Sequence, residues 1–143
     1  MKAVGRDTGK ACTWLLAENK PREGVVLHKH SHEDECFYIL DGRYEMTIGD
    51  RTAIGDSGSF FFGPRNVPHR WTNVGSTTGR LFFVYTPSGI EEFFLGVGMP
   101  IKNPGERPNF DPVELGKRQA EAAQSVGLTK LGEAKYRIRA NGY

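Results

Sequence analysis

The sequence predicts an all-β domain, a small antiparallel sandwich or barrel, followed by one or two C-terminal α-helices. Three observations point there. Between residues 11 and 87 short apolar or alternating runs recur without a helical period sustained over three turns, turn residues separate them closely, and capped helical patterns come only afterwards.

The predicted strands, in order, are residues 13–17, 24–28, 35–40, 44–48, 58–62, 68–73 and 80–86. Asp41-Gly42 between two apolar runs is a two-residue hairpin signal, and Gly49-Asp50, Gly55-Asp56 and Gly75-Ser76 punctuate the others. The stretch Ser88 to Phe94 reads as a capped helix start with Glu91 and Glu92 at the positive end of the dipole, ending near Gly96 and Gly98. A second helix starts with Asp111 as N-cap and Pro112 at the first helical position, and stops at Gly127. Residues 1–98 are thus expected to form the β domain with its short closing helix. Residues 99–143 supply a Pro/Gly-rich linker, the second helix and a basic tail with Lys130, Lys135, Arg137 and Arg139, packed on the β domain.

Composition excludes several classes. The chain has 143 residues, 38% hydrophobic and 25% charged, which suits one domain with its own core. A formal charge of +2 gives no basis for nucleic-acid binding, and no apolar run approaches the ~20 residues that span a bilayer. The start has no apolar signal region, so a cytoplasmic protein is expected. Cys12 and Cys36, without a CxxC pair, read as small buried residues.

The histidines carry the chemistry. All four lie between residues 28 and 69: His28, His30 and His32 just before Glu35, and His69 after a Gly/Pro-bounded strand. Residues i and i+2 of a strand point to one face, so two imidazoles there converge if the sheet curves. Glu35 from the next strand and His69 from a facing one complete three imidazoles and a carboxylate. That set suits a divalent first-row metal with coordination positions left open. His30-Ser31-His32 is an alternative pair; it leaves two residues before Glu35, whereas His28 and His30 leave four, and with His28 and His30 as the pair His32 orients a ligand or faces solvent. Glu33 and Asp34 read as solvated turn residues.

Two spaced motifs stand out: one is His28-x-His30, four residues, Glu35, six residues, Gly42; the other is Gly58, five residues, Pro64-x-Asn66, two residues, His69, three residues, Asn73. In both, the chain resembles the cupins. Asn66 stands where the family pattern has Gly, and Asn is the residue that best replaces Gly in a left-handed turn. The resemblance implies a cupin β-barrel, or jelly roll, with His28, His30, Glu35 and His69 as metal ligands. Trp71 shares parity with His69 and is the first candidate for a substrate-facing ring, with Phe37, Tyr44, Phe62 and Phe93 as further lining residues.

The run from His32 to Gly42, the segment Pro64 to His69 and the C-terminal extension resemble small single-domain cupins similar to quercetin dioxygenase. This implies dioxygenolytic opening of a flavonol-like or other enolic aromatic substrate by O2, with Fe(II), Ni(II), Mn(II) or Co(II) and with Glu35 as general base. A second reading keeps the metal, including Zn(II), and makes it a non-redox cyclase, isomerase or lyase; a third is a non-catalytic small-molecule-binding module. A homodimer is expected from an edge strand left open and from the resemblance, with no nucleic-acid or membrane partner.

Overall fold

The computed structural model describes residues 1–98, 103 and 111–132. Among the described residues, nine strands fold into two antiparallel sheets laid face to face. The first sheet has the order β1-β8-β3-β6, with β1 at Thr13–Asn19, β8 at Gly79–Thr86, β3 at Asp34–Asp41 and β6 at Phe60–Gly63. The second has the order β5-β4-β7-β2-β9, with β5 at Arg51–Asp56, β4 at Arg43–Ile48, β7 at His69–Asn73, β2 at His28–His30 and β9 at Leu128–Lys130. The connections are those of a jelly roll; the two sheets are not joined into one continuous barrel.

Period-two alternation builds the core. From the first sheet Leu15, Phe37, Ile39, Leu81, Phe83 and Tyr85 point inward, and Tyr44, Met46 and Trp71 meet them from the second. Each such side chain contributes on the order of 1.5–3 kcal/mol by burial. Ile90 and Val126, from the helical region, close the same cluster.

Several elements differ from expectation, each for a local reason. Asp41-Gly42 is not a hairpin: β3 and β4 lie in different sheets, and Gly42 at φ +95° turns the chain from one to the other. The two-residue hairpin is Gly49-Asp50, with Ile48 paired to Arg51. β5 had no apolar run to announce it, because it is an edge strand exposed along most of its length, and Gly55 lies inside it. The predicted strand at 24–28 begins at His28; Gly24 makes only an isolated bridge to Thr72. The outer edge of β1 is partly covered, since Ala3 pairs with Trp14. Cys12 and Cys36 are free thiols and half-buried rather than buried.

The helices α1, Glu91–Val97, and α2, Pro112–Ser125, follow the sheets. Ser88 does not cap α1; Ile90 holds that position without a side-chain bond. Instead Glu91 is buried and accepts from the backbone N–H groups of Gly5 and Gly89 at 2.8 Å and from the Thr13 hydroxyl, tying α1 to the first sheet. Asp111 caps α2 as the sequence predicts, accepting from Val113 N at 2.8 Å. Gly127 stops it at φ +68°, and the chain then enters β9, pairing beside β2. Lys130 therefore belongs to an exposed strand end. The predicted linker and the rest of the basic tail lie outside the described residues, apart from residue 103 and the start of α2.

Candidate metal centre

Strand geometry alone brings the four expected ligands together. β2 and β7 are neighbours with His28 opposite His69, and β3 faces them from the other sheet with Glu35 pointing inward. The β6–β7 turn supports this arrangement: Asn66 adopts φ +65°, the left-handed conformation its place in the motif requires, and its N–H donates to the His30 carbonyl at 2.6 Å. His28, His30, Glu35 and His69 each offer one ligand atom, all within 4.8 Å of one another. His32 is exposed, which decides the pairing in favour of His28 and His30.

Tautomers follow from the outer partners. A carbonyl oxygen only accepts, so His28 Nδ1, 2.8 Å from Val26 O, and His69 Nδ1, 3.0 Å from Val67 O, carry the ring protons. Their Nε2 lone pairs then face Glu35 Oε2, at 4.0 Å from His28 and 2.8 Å from His69, while His30 Nε2 lies 3.2 Å away. Two acceptors 2.8 Å apart repel unless an extra proton or a cation lies between or beside them. His30 Nε2 is also buried without a hydrogen-bond partner. A divalent ion held by three nitrogens and one carboxylate oxygen answers both features, so the residues fit a metal.

Electrostatics agree. Burial lowers the His28 pKa to about 4, against the pull of Glu35. Burial would raise Glu35, but the imidazoles of His30 and His69 beside it outweigh burial and hold the carboxylate at about 2. At neutral pH the His28 imidazole is therefore neutral and the Glu35 carboxylate ionised, the states metal binding needs.

The predicted lining residues separate. Phe37 is fully buried with its ring edge-on to His69, centroids 5.7 Å apart, and Trp71 is buried two residues along β7 from His69. Tyr44 is fully buried but pairs with Asn73, at the far end of β7, and donates its hydroxyl to Asn19 at 3.1 Å, which makes it a core residue. Phe62 does not line the interior: it pairs with Cys36 on the outward side of the first sheet and is 48% exposed, while Phe61 takes the inward place. Phe93 is half-buried on α1 against the core.

Two groups were missed. Glu33, expected to be solvated, is 2% exposed, with Oε2 3.9 Å from His30 Nδ1 and both atoms without a hydrogen-bond partner. Burial raises its pKa despite the nearby imidazoles of His30 and His32. Gly89, at φ +151°, makes room for it, since a Cβ there would stand 3.0 Å from Glu33 Oε1. A carboxylate three residues after a ligand histidine was the available signal. Tyr85, read only as core, lies against His30 with centroids 5.5 Å apart, and burial with the neighbouring Glu35 pushes its phenol well above the usual range.

The cupin-domain family profile matches residues 15–85. The chain belongs to the cupin family. It is similar to quercetin 2,3-dioxygenase of Bacillus subtilis, 28% identical over 134 residues, 93% of this chain and 39% of that protein. It is also similar to "Polyketide synthase CurC" of Streptomyces cyaneus, 29% identical over 72 residues, 50% of this chain and 47% of that one. The chain thus spans less than half the length of these two curated relatives. Among solved structures, a "predicted oxalate decarboxylase" of Thermotoga maritima superposes with a TM-score of 0.53 at 26% identity, covering 56% of this chain and 70% of that one. KdgF from a Halomonas species superposes with a TM-score of 0.54 at 14% identity, over 56% and 72% of the two chains. This cupin domain therefore has a buried cluster of three histidines and one glutamate that could hold a metal ion, and its relatives include enzymes. No described helix is long and apolar enough to cross a membrane.

Proposed function

We propose that this protein is a metal-dependent dioxygenase that uses O2 to open a flavonol-like or other enolic aromatic substrate. The observation that carries this reading is the extent of similarity to quercetin 2,3-dioxygenase. At 134 residues it runs well past the cupin match at 15–85 and takes in the α2 region. A bound divalent ion would supply Lewis acidity toward the substrate's enolic hydroxyl. His28 and His69 are held in one tautomer by Val26 and Val67, so their Nε2 atoms need no reorientation. Glu35, ionised throughout the working pH range, accepts the enolic proton on its carboxylate as general base. Its low proton affinity means that the hydroxyl must first be made acidic, which ties proton removal to the loaded site. Phe37 and Trp71 present aromatic surface beside the ligands and exclude water from a reactive carbanion-like substrate.

The test is reconstitution with Fe(II), Ni(II), Mn(II), Co(II) or Zn(II), followed by O2-electrode assays on a flavonol panel. Oxygen uptake matching substrate loss, abolished in Glu35→Gln, is expected. Absence of uptake with every metal would overturn the proposal. The similarity to the polyketide synthase component favours a second reading, non-redox cyclisation or isomerisation at the same centre. Turnover that proceeds equally under strict anaerobiosis would select it.

A further inference from the structure

The strand that carries two of the four ligands has little support on one side. β2 is three residues long and meets β7 only where His28 stands opposite His69, with the Asn66 N–H added on the His30 carbonyl. Its other side is paired throughout by β9, with Lys130 opposite His28, Thr129 opposite Lys29 and Leu128 opposite His30. The ladder continues past both ends. Leu131 N donates to Leu27 O at 2.8 Å and Ser31 N to Gly127 O at 3.1 Å, where the Ser31 hydroxyl also donates at 3.2 Å. Bonded pairs alternate along an antiparallel ladder, which makes Lys29 and Thr129 a bonded pair between these two. The ligand strand is thus held by a segment 96 residues further along the chain.

That segment is thinly anchored. α2 buries Ala122 and Ala123 and is otherwise largely exposed, Val126 is buried after it, and Leu128 is half-buried against the core. Arg118 reaches the Gly96 carbonyl in α1 at 2.6 and 3.0 Å. A segment with so little buried surface opens locally at a lower free energy than the whole domain.

We propose that β9 positions β2 for metal binding, so that docking of the α2–β9 segment and occupancy of the metal centre favour each other by the same factor. The inference rests on the metal reading of the centre and not on the oxygenase reaction. His28 and His69 have their rings fixed by the Val26 and Val67 carbonyls. His30 has no such anchor, since its Nδ1 is without a hydrogen-bond partner, and its aim depends on the backbone of β2. With β9 undocked, Lys29 and Ser31 lose their partners and β2 keeps only its contact at His28 and the bond at His30 O. The undocked chain then holds the ion less tightly, and by linkage the ion makes undocking rarer.

The experiment is hydrogen exchange on the full chain, metal-free and saturated with Zn(II). Amides of α2 and β9 should slow by at least ~5-fold, the lower end of coupling between sites. Those of β5, at the opposite edge of the same sheet, should be unchanged, which separates linkage from general stabilisation. Competition with a chelator then gives Zn(II) affinity in Thr129→Pro, which deletes the N–H paired with Lys29, and in Gly127→Ala, whose Cβ would collide with Ser31 Oγ. Both should bind Zn(II) more weakly, by up to the factor seen in exchange, and should alter the visible absorption of Co(II)-loaded protein. Thr129→Val keeps the N–H at an exposed position and should match the wild type in affinity and spectrum. If Zn(II) slows α2 and β9 no more than β5, the linkage is overturned and the metal reading stands. Folded Thr129→Pro or Gly127→Ala protein that exchanges freely in β9 yet keeps wild-type Zn(II) affinity and Co(II) spectrum would overturn it as well. A wild type that binds no divalent ion would overturn both the linkage and the metal reading.

Discussion

Replacing Glu33 separates two effects that a ligand mutation would mix. In the folded chain His30 is the ligand histidine whose Nδ1 has no hydrogen-bond acceptor, and Glu33 Oε2, 3.9 Å away, is equally unpartnered. Bonding His30 Nε2 to a cation leaves the ring proton on Nδ1 and strengthens it as a donor, so a shift of about 1 Å creates a charge-assisted hydrogen bond. Loss of such an outer partner weakens metal binding about 10–100-fold, or about 1.4–2.8 kcal/mol. Glu33→Ala should lie in that range. Glu33→Gln keeps an acceptor oxygen without the charge and should fall between it and the wild type. Stability of the metal-free protein should move the other way: burial raises the Glu33 pKa, so a neutral side chain of the same size relieves a cost of folding. Competition with a chromophoric chelator gives the affinities, and thermal melts of metal-free protein give the stabilities. A Glu33→Ala protein that binds metal within about twofold of the wild type would refute the reasoning. A metal-free Glu33→Gln protein that melts markedly lower, with affinity unchanged, would show Glu33 to be purely structural.

Three further outcomes follow from other parts of the molecule. The His28 pKa falls from 6.5 unfolded to about 4 folded, so the unfolded chain binds more protons between those values and stability falls as pH is lowered through that window. The loss is about 3 kcal/mol once pH is below about 4, and urea titrations of metal-free protein at about pH 7, 5.5 and 4 would measure it, with unchanged stability opposing it. Asn66→Gly should leave stability nearly unchanged because φ +65° suits glycine, whereas Asn66→Val should cost at least ~1–2 kcal/mol and loosen the bond to His30 O; equal midpoints for the two would contradict this. Asp111→Ala removes the α2 cap at a cost of ~1 kcal/mol, and hydrogen exchange should show faster opening confined to α2 and β9.

The parts legible in the sequence were those whose physics is local. His28, His30, Glu35 and His69 could be grouped because strand parity and motif spacing fix side-chain direction, and Asn66 because few residues tolerate its backbone conformation. The helix α2 was marked at both ends by Asp111, Pro112 and Gly127. What sequence reasoning missed depended on partners far along the chain. Asp41-Gly42 looks the same whether it closes a hairpin or passes between sheets. β9 has three residues and exists because β2 offers an unpaired edge. Phe62 was misassigned by one position of parity, since Phe60, Phe61 and Phe62 are chemically identical and only the pairing with β3 decides which ring points inward. Glu33 looked like a turn carboxylate because nothing local reports that Gly89 and α1 fold over it.

These misreadings bear on the energetics of the site. Metal-free, the chain buries an imidazole held neutral by desolvation, a second imidazole with both nitrogens unpartnered, a carboxylate 2.8 Å from a ring nitrogen, and Glu33 against its own charge. Each is a cost of folding that an apolar core would avoid. All four would be relieved by one event, a divalent ion accepting the Nε2 and Oε2 lone pairs and polarising His30 toward Glu33. Affinity for such an ion would then be partly stored in the fold of the metal-free chain, and substitutions that remove the stored cost should stabilise that chain while weakening any hold on metal.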